Sequence, residues 1–346
     1  MNPANAASFD PLLRIATGFW ASRALYVAAK LLIADQLADG PVSAEGLAHS
    51  SGVHAPSLRR VLRALASLGV FAEDDEGRFN HTPLSRGLCT NAPGSLREFV
   101  VMLGEAESWR SWGEVMHSVR TGEPAFDKVF GASQFDYLAA HPDAARNFDA
   151  AMAERSASED DAVLAAWTFP PIGNVVDIGG GRGTLLSAVL HTYPRLDGIV
   201  FDLAHVIERA QPAFAAQGLG SRLQGASGDF FADELPGDAQ VYILKKVIHD
   251  WDDARAVAIL KTCSRAMAPG ATLLLIEPVI APGNEPSFAK LLDLFMLVWP
   301  GGRERTESEH GSLLAGAGLE LRNSVTTTSA LSILEAVRRP VAIARS

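Results

Sequence analysis

Cysteine is scarce in this chain of 346 residues: there are two, Cys89 and Cys263. They lie far apart with no CxxC spacing, which excludes a disulfide framework or a structural zinc site as the organising element. Basic charge is also in deficit. Against 40 Asp and Glu stand 30 Lys and Arg, a formal charge of −10, whereas a nucleic acid or an anionic membrane needs a basic surface. No apolar run reaches the roughly 18 residues that a membrane-spanning helix requires. The start, MNPANAASFD, has no basic stretch ahead of an apolar core, so no secretory signal is expected and a reducing cytoplasm is the default. What remains is a globular chain, 48% hydrophobic, long enough for two domains with an ample core.

The stretch from Asn174 to Asp202 reads NVVDIGGGRGTLLSAVLHTYPRLDGIVFD. It is an apolar run, a glycine turn, an apolar-periodic helix and a second apolar run ending in an acid: one β-α-β unit of a nucleotide-binding sheet. Val175, Val176 and Ile178 suit a fully buried parallel strand. Gly179, Gly180, Gly181 and Gly183 permit a tight turn and a close ligand approach. Asp202, ending the second strand, is placed to accept hydrogen bonds from a ribose diol.

Ahead of this unit, apolar residues recur at helical spacing from Leu12 to Ala38. Trp20, Leu25, Ala28, Leu31, Leu32 and Leu37 give a surface too broad for one stripe, which suggests burial against a second surface such as another subunit. A helix-turn-helix pattern follows. Its first helix has Ser43 as N-cap and ends at Gly52, its second spans Pro56 to Leu68, and a hairpin wing turns at Glu76-Gly77. A DNA-binding wing is basic, but this one carries Glu73, Asp74, Asp75 and Glu76, so a structural or dimerising module is the better reading. Residues 96–168 read as helices rich in aromatics, most of them core; Phe148 and Met152, four apart on one helix face, are the candidates for an aromatic substrate pocket. From 169 onward strands alternate with helices. Strands are predicted at Val175–Ile178, Ile199–Asp202, Leu223–Ala226, Val241–Lys245, Thr272–Glu277, Leu319–Thr326 and Leu331–Val337, the last two forming an antiparallel hairpin. The expected fold is therefore α/β: a Rossmann-like domain over 169–346, its parallel sheet closed by the hairpin, a helical connector over 96–168, and an α-rich winged-helix dimerisation domain over 1–95.

The glycine turn departs from the dinucleotide fingerprint G-x-G-x-x-G/A, because the sixth position from Gly179 is Thr184. A second acid, Asp229 in Gly228-Asp229-Phe230-Phe231, follows the third strand, where a carboxylate can meet an adenine amine and Phe230 can pack on the ring; an ordinary turn residue is the bland alternative. Acids ending both strands favour a nucleoside with no pyrophosphate to neutralise, as in S-adenosylmethionine (SAM).

The strings VVDIGGGRG, YPRLDGIVFDLAHVI, GDFF, ILKKVIHDWDD, LLLIEPVI and DLFMLVWPGGRERTESEH together resemble the caffeic-acid-type small-molecule O-methyltransferases of plants and their bacterial relatives in antibiotic and pigment biosynthesis, nearly from end to end. The resemblance implies SAM as cofactor, S-adenosylhomocysteine as product, no metal, an aromatic small-molecule substrate, and a homodimer formed through the N-terminal domain. It carries cofactor contacts onto Gly179, Asp202, Leu203, Asp229, Phe230 and Lys245; Asp177, Gly181 and Gly183 in the same turn are counted with them.

Methyl transfer to a phenol, whose pKa is about 10, calls for a base, and histidine is the natural one. His249 follows a strand and precedes the helix predicted at Ala254–Met267, at the carboxyl edge where α/β ligands bind. On spacing alone a loop or capping histidine is the stronger reading; the family motif assigns it the base. The acids of HDWDD also invite a metal reading, but Asp252 or Asp253 suits a helix N-cap. Glu277 and Glu304 fall on the family positions that flank the catalytic histidine; for Glu304, between Arg303 and Arg305, a solvated loop charge is the alternative. Asp250 is a further candidate for substrate contact, and Asp293, Met296 and Trp299 are expected to face the acceptor. N-methylation, SAM-assisted hydroxylation or decarboxylation, and a ligand-sensing DNA-binding protein are the competing readings.

Overall fold

The computed structural model describes residues 11–90 and 92–339. These residues form two compact units: one takes those up to 110 together with 138–155, the other takes 111–137 and 156–339.

In the first unit the helical pattern from Leu12 to Ala38 is not one helix. It divides into Pro11–Ala16 and Gly18–Lys30, then a 3-10 turn at Asp35–Leu37. Leu32 takes a φ of +54°, and this reversal lets Ile33 and Leu37 pack in the same buried core as Leu47, Leu58 and Leu62. Leu12, Ile15, Phe19 and Trp20 stay exposed, the surplus apolar surface anticipated from the sequence. The winged helix forms as read. Ser43 accepts from Gly46 N–H to start the helix Ala44–Ser51, which Gly52 ends at a φ of 67°; the second helix spans Ala55–Ser67. Strands β1 (Val42–Ser43), β2 (Phe71–Glu73) and β3 (Arg78–His81) make a small sheet in the order β1-β3-β2. Arg59 lies 3.1 Å from Glu45 and Arg63 lies 3.8 Å from Glu73, so both face acids of their own unit.

The second unit is built on β4 (Gly173–Ile178), β5 (Leu196–Asp202), β6 (Leu223–Ser227), β7 (Val241–Lys245), β8 (Thr272–Glu277), the short β9 (Val279–Ile280) and β10 (Arg305–Thr306), β11 (Leu319–Thr326) and β12 (Ser332–Arg338). The main sheet has the order β11-β12-β8-β7-β4-β5-β6. Its first five strands in sequence run parallel, while β12 pairs antiparallel with β8 and β11. The period-2 alternation of the buried strands feeds two cores: Val176, Leu244 and Leu275 face one, Val175, Ile243 and Ile276 the other. β9 and β10 pair parallel, Arg305 opposite Val279, and so place residues 303–305 beside the end of β8. Among the described residues no helix is long and apolar enough to cross a membrane.

Candidate active site

The glycine turn follows β4, with Gly179, Gly181 and Gly183 at φ of 69°, 56° and 67°. The turn is locked by Asp202: its Oδ2 accepts from Gly181 N–H at 2.9 Å and its Oδ1 from Leu203 N–H at 2.8 Å. An ionised carboxylate offers about four acceptor sites, so each oxygen keeps one for a ribose hydroxyl. Asp229 is tied likewise, its Oδ1 accepting from Phe231 N–H at 2.8 Å. Phe230 packs edge-on against Phe231 and Trp251. Two acids at neighbouring strand ends, a glycine turn and an aromatic ring form a donor and acceptor set that fits an adenosine.

Asp177 is buried, and burial, then the charges of Asp160 and Asp202, push its carboxyl up to about 7 against the opposing pull of Lys245. Lys245, expected as a cofactor contact, is ion-paired with Asp160 and lies 3.5 Å from Glu159, which also pairs with Lys246 at 2.8 Å. Glu159 and Asp160, on the helix Pro142–Ala166, were not singled out from the sequence. The available signal was an acidic run, SEDD, between alanine-rich segments: buried acids require partners.

His249 sits on a 3-10 turn, Ile248–Asp250, just beyond β7. Glu277 ends β8, and its Oε1 accepts the N–H groups of Val247 at 3.1 Å and Ile248 at 2.9 Å; its Oε2 is 3.8 Å from His249 Nδ1. Glu304 is the direct partner, with Oε1 2.9 Å from Nδ1. It is buried, not a solvated loop charge. On the other side of the ring, Asp250 Oδ1 lies 3.6 Å from Nε2. Burial alone would lower the pKa of His249, but Asp250, Glu277 and the bond to Glu304 outweigh it and raise the imidazole to about 10. Burial and the Glu304 charge, against the pull of His249, leave the Glu277 carboxyl at about 7.

The ligand atoms of His249, Glu277 and Glu304 lie within 4.8 Å of one another, a grouping that also raises the question of a metal. Ligands of a tetrahedral ion with bonds of 2.0–2.1 Å stand roughly 3.3 Å apart. The 2.9 Å between Nδ1 and Glu304 is instead a hydrogen-bond separation. Asp252, from the same acidic string, is the helix N-cap, its Oδ1 accepting from Arg255 N–H at 2.8 Å.

Asp293, expected at the acceptor, uses Oδ1 to accept from Glu304 N–H at 2.9 Å, so in this structure its contact is with the backbone that carries Glu304. Met296 and Trp299 are buried on and just after the helix Phe288–Val298; Trp299 packs 4.9 Å from Phe295 and 5.7 Å from Phe126, centroid to centroid. Phe148 and Met152 belong to the first unit. After Trp299 the chain passes so close to His249 that a Cβ on Gly302 would overlap the His249 carbonyl oxygen and lie 2.9 Å from Asp250 Cα. Gly302→Ala must therefore push the His249 turn aside. We expect it to lower turnover roughly 100-fold, the scale of a 1 Å misplacement, with thermal unfolding of the variant recorded alongside; wild-type turnover would show that the close approach is not needed.

A family model described as an O-methyltransferase domain matches residues 112–320, and one described as an O-methyltransferase dimerisation domain matches residues 13–91. The chain belongs to the O-methyltransferase family. It is 48% identical over 330 residues to a phenazine O-methyltransferase of Lysobacter antibioticus, covering 95% of this chain and 96% of that one. It is 30% identical over 343 residues to a phenazine-1-carboxylate N-methyltransferase of Pseudomonas aeruginosa, covering 98% and 100%. Among solved structures, human N-acetylserotonin methyltransferase in complex with SAM superposes with a TM-score of 0.88 at 28% identity, covering 98% and 99%. The cofactor of this methyltransferase is SAM, and its dimerisation domain implies a homodimer.

Proposed function

We propose that the enzyme moves the methyl group of SAM to a phenolic hydroxyl of an aromatic secondary metabolite, with His249 as general base. The observation that carries this reading is the bond from Nδ1 to Glu304 at 2.9 Å: it fixes one tautomer and leaves Nε2 as the nitrogen available to a substrate. SAM, when bound, supplies a methyl carbon already activated by a positive sulfur. The protein's share is to orient the acceptor and hold its proton. Nε2 takes the phenolic proton as the oxygen–methyl bond forms and the carbon–sulfur bond breaks, its electron pair going to sulfur. Glu304, with Glu277 behind it, stabilises the imidazolium that results.

In the same reading Asp202 holds the ribose, Asp229 and Phe230 the adenine, and Asp177, Lys245 and the turn residues Gly179, Gly181, Gly183 and Leu203 the rest of the cofactor. Asp250, Met296 and Trp299 meet the acceptor, while Asp293 supports it through Glu304. Residues 1–95 serve dimerisation, 96–168 connect, and 169–346 hold the cofactor.

Incubation with SAM and hydroxylated phenazines or naphthoates tests the reaction. The expected product is heavier by one CH₂, methylated on oxygen, with S-adenosylhomocysteine released in equal amount. Methylation on a ring nitrogen, unaffected by His249→Gln, would replace this reading with N-methylation, which needs no base.

A further inference from the structure

Arg305 reads in the sequence as one of two charges flanking Glu304. In the structure it is 1% exposed and among the largest fully buried side chains of the protein. A guanidinium has five N–H donors and no acceptor, and here every one is used. Nε donates to Asp253 Oδ1 at 3.0 Å, and Nη2 donates to the same oxygen at 2.8 Å and to the Trp251 carbonyl at 2.7 Å. Nη1 donates to the carbonyls of Ile248 at 3.1 Å and Arg303 at 3.4 Å. Two of these carbonyls, Ile248 and Trp251, bracket His249 and Asp250 in the chain. On the same short segment, Arg303 N–H donates to the His249 carbonyl at 2.8 Å, and Glu304 bonds the ring. Residues 303–305 thus grip His249 by its own carbonyl, its side chain and the carbonyls on either side. β10 anchors that segment to β9, just past Glu277.

His310, buried one turn into the following helix, has neither ring nitrogen hydrogen-bonded. Burial first, and then the charge of Arg305, push its pKa down to about 4. It stays neutral and adds no competing charge.

We propose that Arg305 is the positioning residue for the methyl-transfer base, its planar fork fixing the turn from Ile248 to Asp253 so that Nδ1 meets Glu304 while Nε2 faces the acceptor. The inference rests on His249 being that base. A lysine keeps the charge but cannot span these acceptors with one planar group.

The test compares Arg305→Lys, Asp253→Ala and His249→Gln in the full-length protein, measuring kcat, KM for the phenol, S-adenosylhomocysteine affinity by calorimetry, and the pH profile. Asp253→Ala covers the case in which Arg305→Lys does not fold, because Asp253 is half exposed and the N-cap Asp252 remains. Arg305→Lys is expected to lower kcat roughly 100-fold and Asp253→Ala roughly 10-fold, with S-adenosylhomocysteine affinity held and the alkaline inflection moved to lower pH as the Glu304 bond loosens. A damaging His249→Gln beside harmless Arg305→Lys and Asp253→Ala overturns the proposal alone. A kcat loss matched by lost affinity at an unmoved inflection overturns it too, since that marks a merely structural role. A harmless His249→Gln overturns the base reading instead.

Discussion

His249→Gln lowers the rate of phenol methylation by roughly 10²–10⁴-fold, the range that positioned general bases contribute, while S-adenosylhomocysteine still binds. The prediction follows from where the ring sits. Glu304 occupies Nδ1, so Nε2 alone can take the acceptor's proton, and glutamine has no nitrogen that can replace it. Asp202 and Asp229 lie at the ends of β5 and β6, away from the turn that carries His249, so cofactor affinity is expected to hold. Three buried or half-buried acids, Asp250, Glu277 and Glu304, lose their cation in the variant. An unpaired buried charge is costly. The variant should therefore be less stable, and rates must be compared at a temperature where its thermal unfolding has not begun. Turnover at the wild-type rate would remove His249 from the mechanism.

The second large effect is on pH. With the imidazole raised to about 10, only a small fraction is neutral at pH 7, and only the neutral form accepts a proton. The rate is therefore expected to climb about tenfold per pH unit from pH 7 toward the inflection. The cost has a return: a base of that strength is matched to a phenol of pKa about 10, so the proton passes with little free-energy penalty. Glu304→Gln removes the nearest anion and should lower the inflection by roughly 1–3 units, the scale of one opposite charge at close range. Steady-state kcat/KM between pH 6 and 10 reads this directly; an inflection that stays put in the variant would separate Glu304 from His249. The same shift bears on folding. A pKa raised above its unfolded value gives stability that is fully present below about 6.5 and is lost as pH rises through about 10.

Much of this was legible in the chain. The strand-turn-helix from Asn174 to Asp202 announced itself through buried-strand runs and four glycines, and the acids that end β5 and β8 lie where the pattern put them. What the sequence left open was pairing in space. It offered Glu277 and Glu304 as alternatives for the histidine; the structure divides the work, Glu304 meeting the ring and Glu277 the N–H groups of Val247 and Ile248. The reversal at Leu32, just past the helix that ends at Lys30, could not be seen, because no glycine or proline marks it and it is set by the core that Ile33 and Leu37 join. Arg305, Glu159 and Asp160 were illegible for a common reason. Each is a charged residue whose burial depends on acceptors or cations supplied by distant segments, and no local periodicity records that.

The most direct test of His249 as the base is a single-turnover comparison of wild type and His249→Gln across phenols whose pKa values run from roughly 7 to 10. If the histidine removes the proton, the variant's deficit is largest for the least acidic phenol and shrinks steadily as the acceptor becomes able to lose its proton unaided. A deficit of constant size across the series, or none, would contradict it.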